Sequence, residues 1–145
     1  YITREDSSYR KIINEGDIIS ILIENGYKVI NPQLYEIEEQ IQIFADAEKI
    51  VAPYGSNLAN IIFCQPGAEV FEITPPFNSK EKIFAERYSN LSLSNSLKHN
   101  KIVAETVDVK EHSNLVKKYI HPKILAESNY YKNLILKIQN IKEII

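Results

Sequence analysis

Short β-branched runs alternate with stretches of helical period along the first hundred residues, and the changes fall at glycine, proline and asparagine. This alternation constrains the fold more than any other feature, because strand, helix and strand in succession form a right-handed crossover within a parallel sheet. "YIT" at 1–3 reads as the tail of a first strand. Asn14, with Asp17 three residues on, begins a helix carrying Ile18, Ile19, Leu22 and Ile23, which Gly26 ends. "YKVIN" at 27–31 is a second strand stopped by Pro32, and 36–48 is a helix with an acidic first turn and an apolar face of Ile37, Ile41, Phe44 and Ala45.

"KIVAP" at 49–53 is a third strand, apolar as a strand covered on both faces must be. A corner, "YGSN", leads into a short helix from about 57 to 64. After the break at Gln65, Pro66 and Gly67, "AEVFEIT" at 68–74 supplies a fourth strand, stopped by Pro75 and Pro76. A helix over about 80–97 and a fifth strand at 101–109 follow, and everything from His112 onward reads as helical. Pro122 suits the first turn of a final helix, with Ile124, Tyr131, Leu134, Ile135, Ile138, Ile141 and Ile145 as its buried stripe. The expected fold class is α/β, a Rossmann-like parallel sheet with helices on both faces, in a single domain over residues 1–145.

Composition removes several functional classes. A net charge of -2 leaves no electrostatic footprint for nucleic acid or an anionic membrane. No apolar run reaches the roughly 20 residues of a membrane span. The lone Cys64 reads as a small buried hydrophobe and cannot form an internal disulfide. His99, His112 and His121 are too scattered for a metal site and read as surface residues. Walker loop, nucleophile elbow and glycine-rich dinucleotide fingerprint are all missing. The chain starts at Tyr1 and has no methionine, so it reads as a fragment of a longer protein.

In an open α/β sheet, ligands bind beyond the carboxyl ends of the strands. Those ends carry Arg4, Asn31, Tyr54 to Asn57 and Thr74, with Glu72 just inside the fourth strand. At the corner, Gly55 permits close backbone approach, Ser56 can cap the helix, and the first helical N–H groups offer an anion site; a plain strand-to-helix turn would use the same residues. Arg4, Arg10 and Lys11 cluster at the first loop, and two of the chain's three arginines fall within these seven residues. Guanidinium groups present paired donors to phosphate oxygens, while local ion pairs in a solvated loop are the alternative. Glu72 shares a strand face with Val70 and Thr74, where a carboxylate needs either a protein partner or a ligand hydroxyl.

Taken in order, Arg4, the Arg10–Lys11 pair, Asn14–Glu15, Glu39–Gln40, the turn Gly55–Ser56–Asn57–Leu58, Asn60 in "NIIF" and Glu72 resemble the C-terminal half of glycosyltransferase family 61. The resemblance covers residues 1–76. It implies a GT-B architecture of two Rossmann-like domains, with this chain as the C-terminal one that binds a nucleotide-diphosphate sugar, a UDP-sugar foremost, without metal or other cofactor. Arg4, Arg10, Lys11, Asn14, Tyr54, Gly55, Ser56, Asn57, Leu58 and Glu72 would form the donor site, with diphosphate on the arginines and turn amides and ribose on Glu72. Glu39, Gln40 and Asn60 would support it.

The catalytic base and acceptor site would then lie in an N-terminal domain, and the fragment alone should not turn over. The acceptor would be a glycan or protein, and the setting bacterial polysaccharide assembly in the cytoplasm, or the secretory lumen in a eukaryote. Two positions depart from the family pattern: Tyr54 stands where histidine is usual, and Asn57 where a second glycine is usual, a residue that tolerates positive φ. A non-catalytic nucleotide-binding or scaffold module that has lost transferase activity is the alternative. A flavodoxin-like receiver domain fits less well, since "YITR" ends in a cation where such a domain needs acidic residues.

Overall fold

In the computed structural model, residues 1–142 and 144–145 are described. Helices α1 (Glu15–Glu24) and α2 (Ile37–Ala45) precede strand β1 (Lys49–Pro53). A 3₁₀ helix (Ser56–Phe63), strand β2 (Glu69–Thr74), helix α3 (Lys82–Ser94) and strand β3 (Lys98–Val103) follow. The three strands pair in parallel in the order β1-β2-β3, with Val51 beside Phe71 and Ala52 beside Glu72. This is an α/β fold around a three-stranded parallel sheet.

Alternation along the strands divides the core into two layers. Val51, Phe71 and Ile73 point to the side of Ile18 and Leu22 of α1, while Ile50, Ala52 and Val70 point to the side of Phe44, Leu58, Ile61 and Tyr88. Both faces are covered, which is why β1 and β2 are buried almost throughout. Cys64 belongs to the second layer, and burial pushes its thiol up to about 11, the state of an inert apolar filler.

Three expectations are corrected. In α2 the buried side is Ile43 and Phe44, while Ile37 and Ile41 are 52% and 38% exposed. Gln40, half-buried, takes a place on the inward stripe because its side-chain amide is held between Tyr35 O and the Asn60 side chain. The segment 27–31 is no full strand: only Ile30 forms a ladder bridge, to Ile2, before Pro32 turns the chain. Gly26, at φ 86, had already closed α1 in the left-handed region.

The third concerns the C-terminus, which is not all helical. The fifth strand divides: β3 starts earlier, at Lys98, and a separate strand β4 (Glu105–Val107) turns away from the parallel sheet. Two six-residue helices, α4 (Asn114–Tyr119) and α5 (Pro122–Glu127), follow, and Pro122 does occupy the first turn of the second. Asn133–Ile135 is then a strand, β5, antiparallel to β4, ahead of a single turn α6 (Ile138–Ile141). On its other side Leu134 bonds both to Lys11 O and from Ile13 N, each at 2.8 Å.

Of the expected helical stripe, Leu134 and Ile141 are buried in the layer of α1, and Leu136, outside that stripe, joins them. Leu134 is fully buried and joins three parts of the chain. Leu134→Ala should lower the unfolding free energy by about 2–5 kcal/mol in urea titrations; a change below about 0.5 kcal/mol would show that the strand is not part of the core.

Candidate functional site

The segment Tyr1–Thr3 is held between two neighbours. On one side Ile30 N donates to Tyr1 O and Thr3 N donates to Ile30 O; on the other Ile2 N donates to Val51 O. The chain thus leaves this central segment toward one side through α1 and returns to the other side through α2. Loops diverge at such a reversal and leave a crevice at the carboxyl ends. Arg4 follows the central segment at this end, and Tyr54–Gly55 follows β1 beside it, with the Arg4 guanidinium against Gly55.

Glu15, at the start of α1, fixes the Arg4 side. Its Oε1 accepts hydrogen bonds from Tyr1 OH at 2.7 Å, Thr3 Oγ1 at 3.0 Å and Arg4 N at 3.4 Å. Gly55 shapes the corner side by having no side chain. Its backbone is extended, at φ 174 and ψ 170, so any residue could adopt it, but a Cβ there would sit 1.9 Å from Arg4 Nη1 and 2.9 Å from Cζ. The Arg4 guanidinium lies against the corner, in the space that a side chain at position 55 would fill.

Arg10 arrives from the same loop in a left-handed conformation, φ 57, which costs an L-residue about 1–2 kcal/mol. It is 4% exposed, and its guanidinium lies 4.1 Å from the Tyr130 ring centroid, 4.7 Å from Tyr9 and 5.1 Å from Tyr54. Cation–π contacts of this kind offset part of the desolvation. Arg10 Nε and Nη1 and Arg4 Nε are buried without a hydrogen-bond partner. Among the described residues no carboxylate pairs with an arginine. Burial, and then the neighbouring charge of Arg10, lower the Arg4 guanidinium to about 10, so Arg4 stays cationic at neutral pH.

Tyr54 is 1% exposed and packs edge-on against Phe77, Tyr88 and Tyr130. Its hydroxyl has no partner among the described residues, and burial raises its pKa, so it is a neutral group at the corner. Ser56 is exposed and does not cap the helix, a correction: Gly55 is the cap residue, and Leu58 N bonds to Gly55 O in a 3₁₀ turn. Asn57 is half-buried and is not in the left-handed region, so that position does not demand glycine. Leu58 is fully buried and anchors the turn.

Glu72 is completely buried and has the protein partner that its strand position demanded. Its Oε2 lies 2.8 Å from His99 Nε2, and His99 Nδ1 lies 2.8 Å from Ser92 Oγ. His99 is therefore no surface residue: its side chain is 9% exposed, because β3 lies beside β2 and turns it under α3. Glu72 Oε1 remains without a partner.

The other expected residues lie further back. Lys11 gives its N–H to Asn133 Oδ1, and the Asn14 side chain both donates to Leu136 O and accepts from Leu136 N, so they tie the C-terminal strand to the first loop. Gln40 Oε1 accepts from Asn60 Nδ2 at 2.9 Å and joins α2 to the 3₁₀ helix; Glu39 accepts from Glu36 N at the start of α2.

Three contributors escaped the sequence reading. Glu15 was visible only as part of a motif. Tyr130 comes from a stretch read as helix interior; it is held by Glu81, which accepts from Tyr130 N at 3.0 Å and from the Ser128 hydroxyl. Arg87, on α3, faces the corner and acts electrostatically on the Tyr54 and Tyr88 hydroxyls; its only signal was arginine scarcity. Among the described residues, no group of three metal-ligating side chains forms a metal site, and no helix is long and apolar enough to cross a membrane.

Breaking the Glu72–His99 pair tests how Glu72 is held. His99→Ala should cost about 3 kcal/mol or more of stability, since it leaves a buried carboxylate alone. Glu72→Gln in the same background should restore a good part of it in chemical denaturation, and no recovery would show that the imidazole matters for packing only.

Residues 1–71, which carry Arg4, Arg10, Glu15 and the corner at Gly55, match the family model described as Glycosyltransferase 61. No curated protein matches the chain. Over residues 1–71 the chain is similar to the glycosyltransferase 61 family.

Proposed function

We propose that this chain is the donor-binding part of a glycosyltransferase, holding the diphosphate of a nucleotide sugar, a UDP-sugar foremost, at the carboxyl edge of its sheet. One observation carries the reading. Arg4 and Arg10 place buried, unpartnered guanidinium nitrogens near one another, and among the described residues no carboxylate pairs with either. Buried cations without a counter-charge cost several kcal/mol, and a dianionic or trianionic ligand removes that cost while using the free donors.

In this reading the Arg4 and Arg10 guanidiniums and the amides of Gly55, Ser56 and Asn57 surround the phosphates, and the 3₁₀ helix adds the positive end of its dipole. As the bond between sugar and diphosphate breaks, negative charge grows on the leaving oxygens, and arginines fixed in a dry crevice stabilise it without reorganising. Rossmann-like GT-B architecture accommodates this placement at the chain reversal. Activation of the acceptor is assigned to groups outside these residues, and a bacterial polysaccharide pathway is the setting. The neutral Tyr54 favours one alternative, a module that binds the nucleotide without transferring the sugar.

Calorimetric titration of UDP into the chain should show binding that weakens as salt rises. Arg10→Ala should weaken it about tenfold or more, the worth of one charged hydrogen bond. Absence of heat with UDP, GDP and ADP at millimolar concentration would contradict the proposal. Gly55→Ala should change stability by less than about 1 kcal/mol, because the atom displaced ends a flexible side chain. It should nevertheless reduce UDP affinity as far as Arg4→Ala does; wild-type affinity would show that Arg4 does not need the gap.

A further inference from the structure

An open groove of about 560 Å³ runs from Ser56, at the corner, down between the 3₁₀ helix and α3. It is a shallow depression, open to solvent along its length. Arg87 stands on the α3 side with its guanidinium 5.3 Å from the Phe84 ring centroid. The neighbouring Glu86 pairs with Lys82 one turn back, so the Arg87 charge faces the groove without an acidic partner among the described residues. Below it the lining is Asn90 and Ser94, with Tyr88 and Leu91. Short amide and hydroxyl side chains over an apolar floor suit a ring bearing hydroxyl groups.

We propose that Arg87 is a third phosphate-binding arginine, and that the groove beyond it receives a polyhydroxylated ring attached to the diphosphate. All three arginines of the chain then converge on one ligand from three elements: Arg4 from the first extended segment, Arg10 from its loop and Arg87 from α3. This inference rests on the diphosphate reading above. The ring can be the ribose of the nucleoside or the transferred sugar, and the two are separable by probe.

Pyrophosphate, UDP and UDP-glucose are titrated calorimetrically into the wild-type chain, Arg87→Ala, Arg87→Lys, Asn90→Trp and Arg10→Ala, with circular dichroism confirming the fold of each. Arg87→Ala should weaken all three probes about tenfold, and Arg87→Lys should recover part of that. Asn90→Trp, which fills the groove from an exposed position, should leave pyrophosphate unchanged. A loss with UDP and UDP-glucose alike places ribose in the groove, and a loss with UDP-glucose alone places the sugar there. Wild-type affinity for every probe in both the Arg87→Ala and Asn90→Trp chains, with Arg10→Ala still impaired, overturns this inference and leaves the diphosphate site standing. No binding by the wild-type chain overturns both.

Discussion

A buried Arg10 guanidinium beside a half-buried Arg4, with no carboxylate pairing either among the described residues, governs the organisation of this molecule. Arg4 and Arg10 sit side by side at the point where the chain reverses direction across its sheet. Each is held there by an arrangement that would be hard to explain as packing alone. Arg4 needs the missing side chain of Gly55 and the backbone clamp of Glu15. Arg10 needs a left-handed backbone and three aromatic rings. Strain and desolvation both oppose this state, and the rest of the fold supplies what offsets them.

That support comes largely from distant sequence. Tyr130, more than a hundred residues from Arg10, forms one wall of its enclosure, and Glu81 fixes Tyr130 in turn. Leu134 and Asn133 bond to the backbone on either side of Lys11, and Asn14 grips Leu136. The C-terminal strand is therefore a brace that holds the loop carrying Arg10 in its strained conformation. Loss of packing at Leu134 would be felt at the arginines, although no atom of that residue faces a ligand.

Much of the first hundred residues was legible because their periodicity is local. Runs such as 49–53 and 68–74 are apolar on both faces only when helices cover both sides, and their parallel pairing follows from the helices between them. The rule that ligands bind at the carboxyl ends of strands selects Arg4 and the 54–57 corner from the sequence alone. The failures share a cause as well. Helical spacing of Leu134, Ile138 and Ile141 is equally compatible with a strand followed by one turn, and only the partners Ile12 and Thr106 decide between them. His99 and Glu72 are twenty-seven residues apart, and only strand register brings them together. Ile37 and Ile41 gave a plausible apolar face to α2, but the Gln40–Asn60 bond turns the helix otherwise. Long-range pairing leaves little trace in a single sequence, and the walls of the candidate site depend on it.

Because the chain has three arginines, side-chain Nε–Hε resonances offer a direct view of the central claim. Heteronuclear NMR on arginine-labelled protein, assigned by single Arg→Lys variants, would follow these signals during a titration with pyrophosphate. The account predicts that Arg4 and Arg10 shift together and saturate at the same concentration, as two donors closing on one anion must. Signals that stay fixed up to millimolar pyrophosphate, while the protein remains folded, would contradict it.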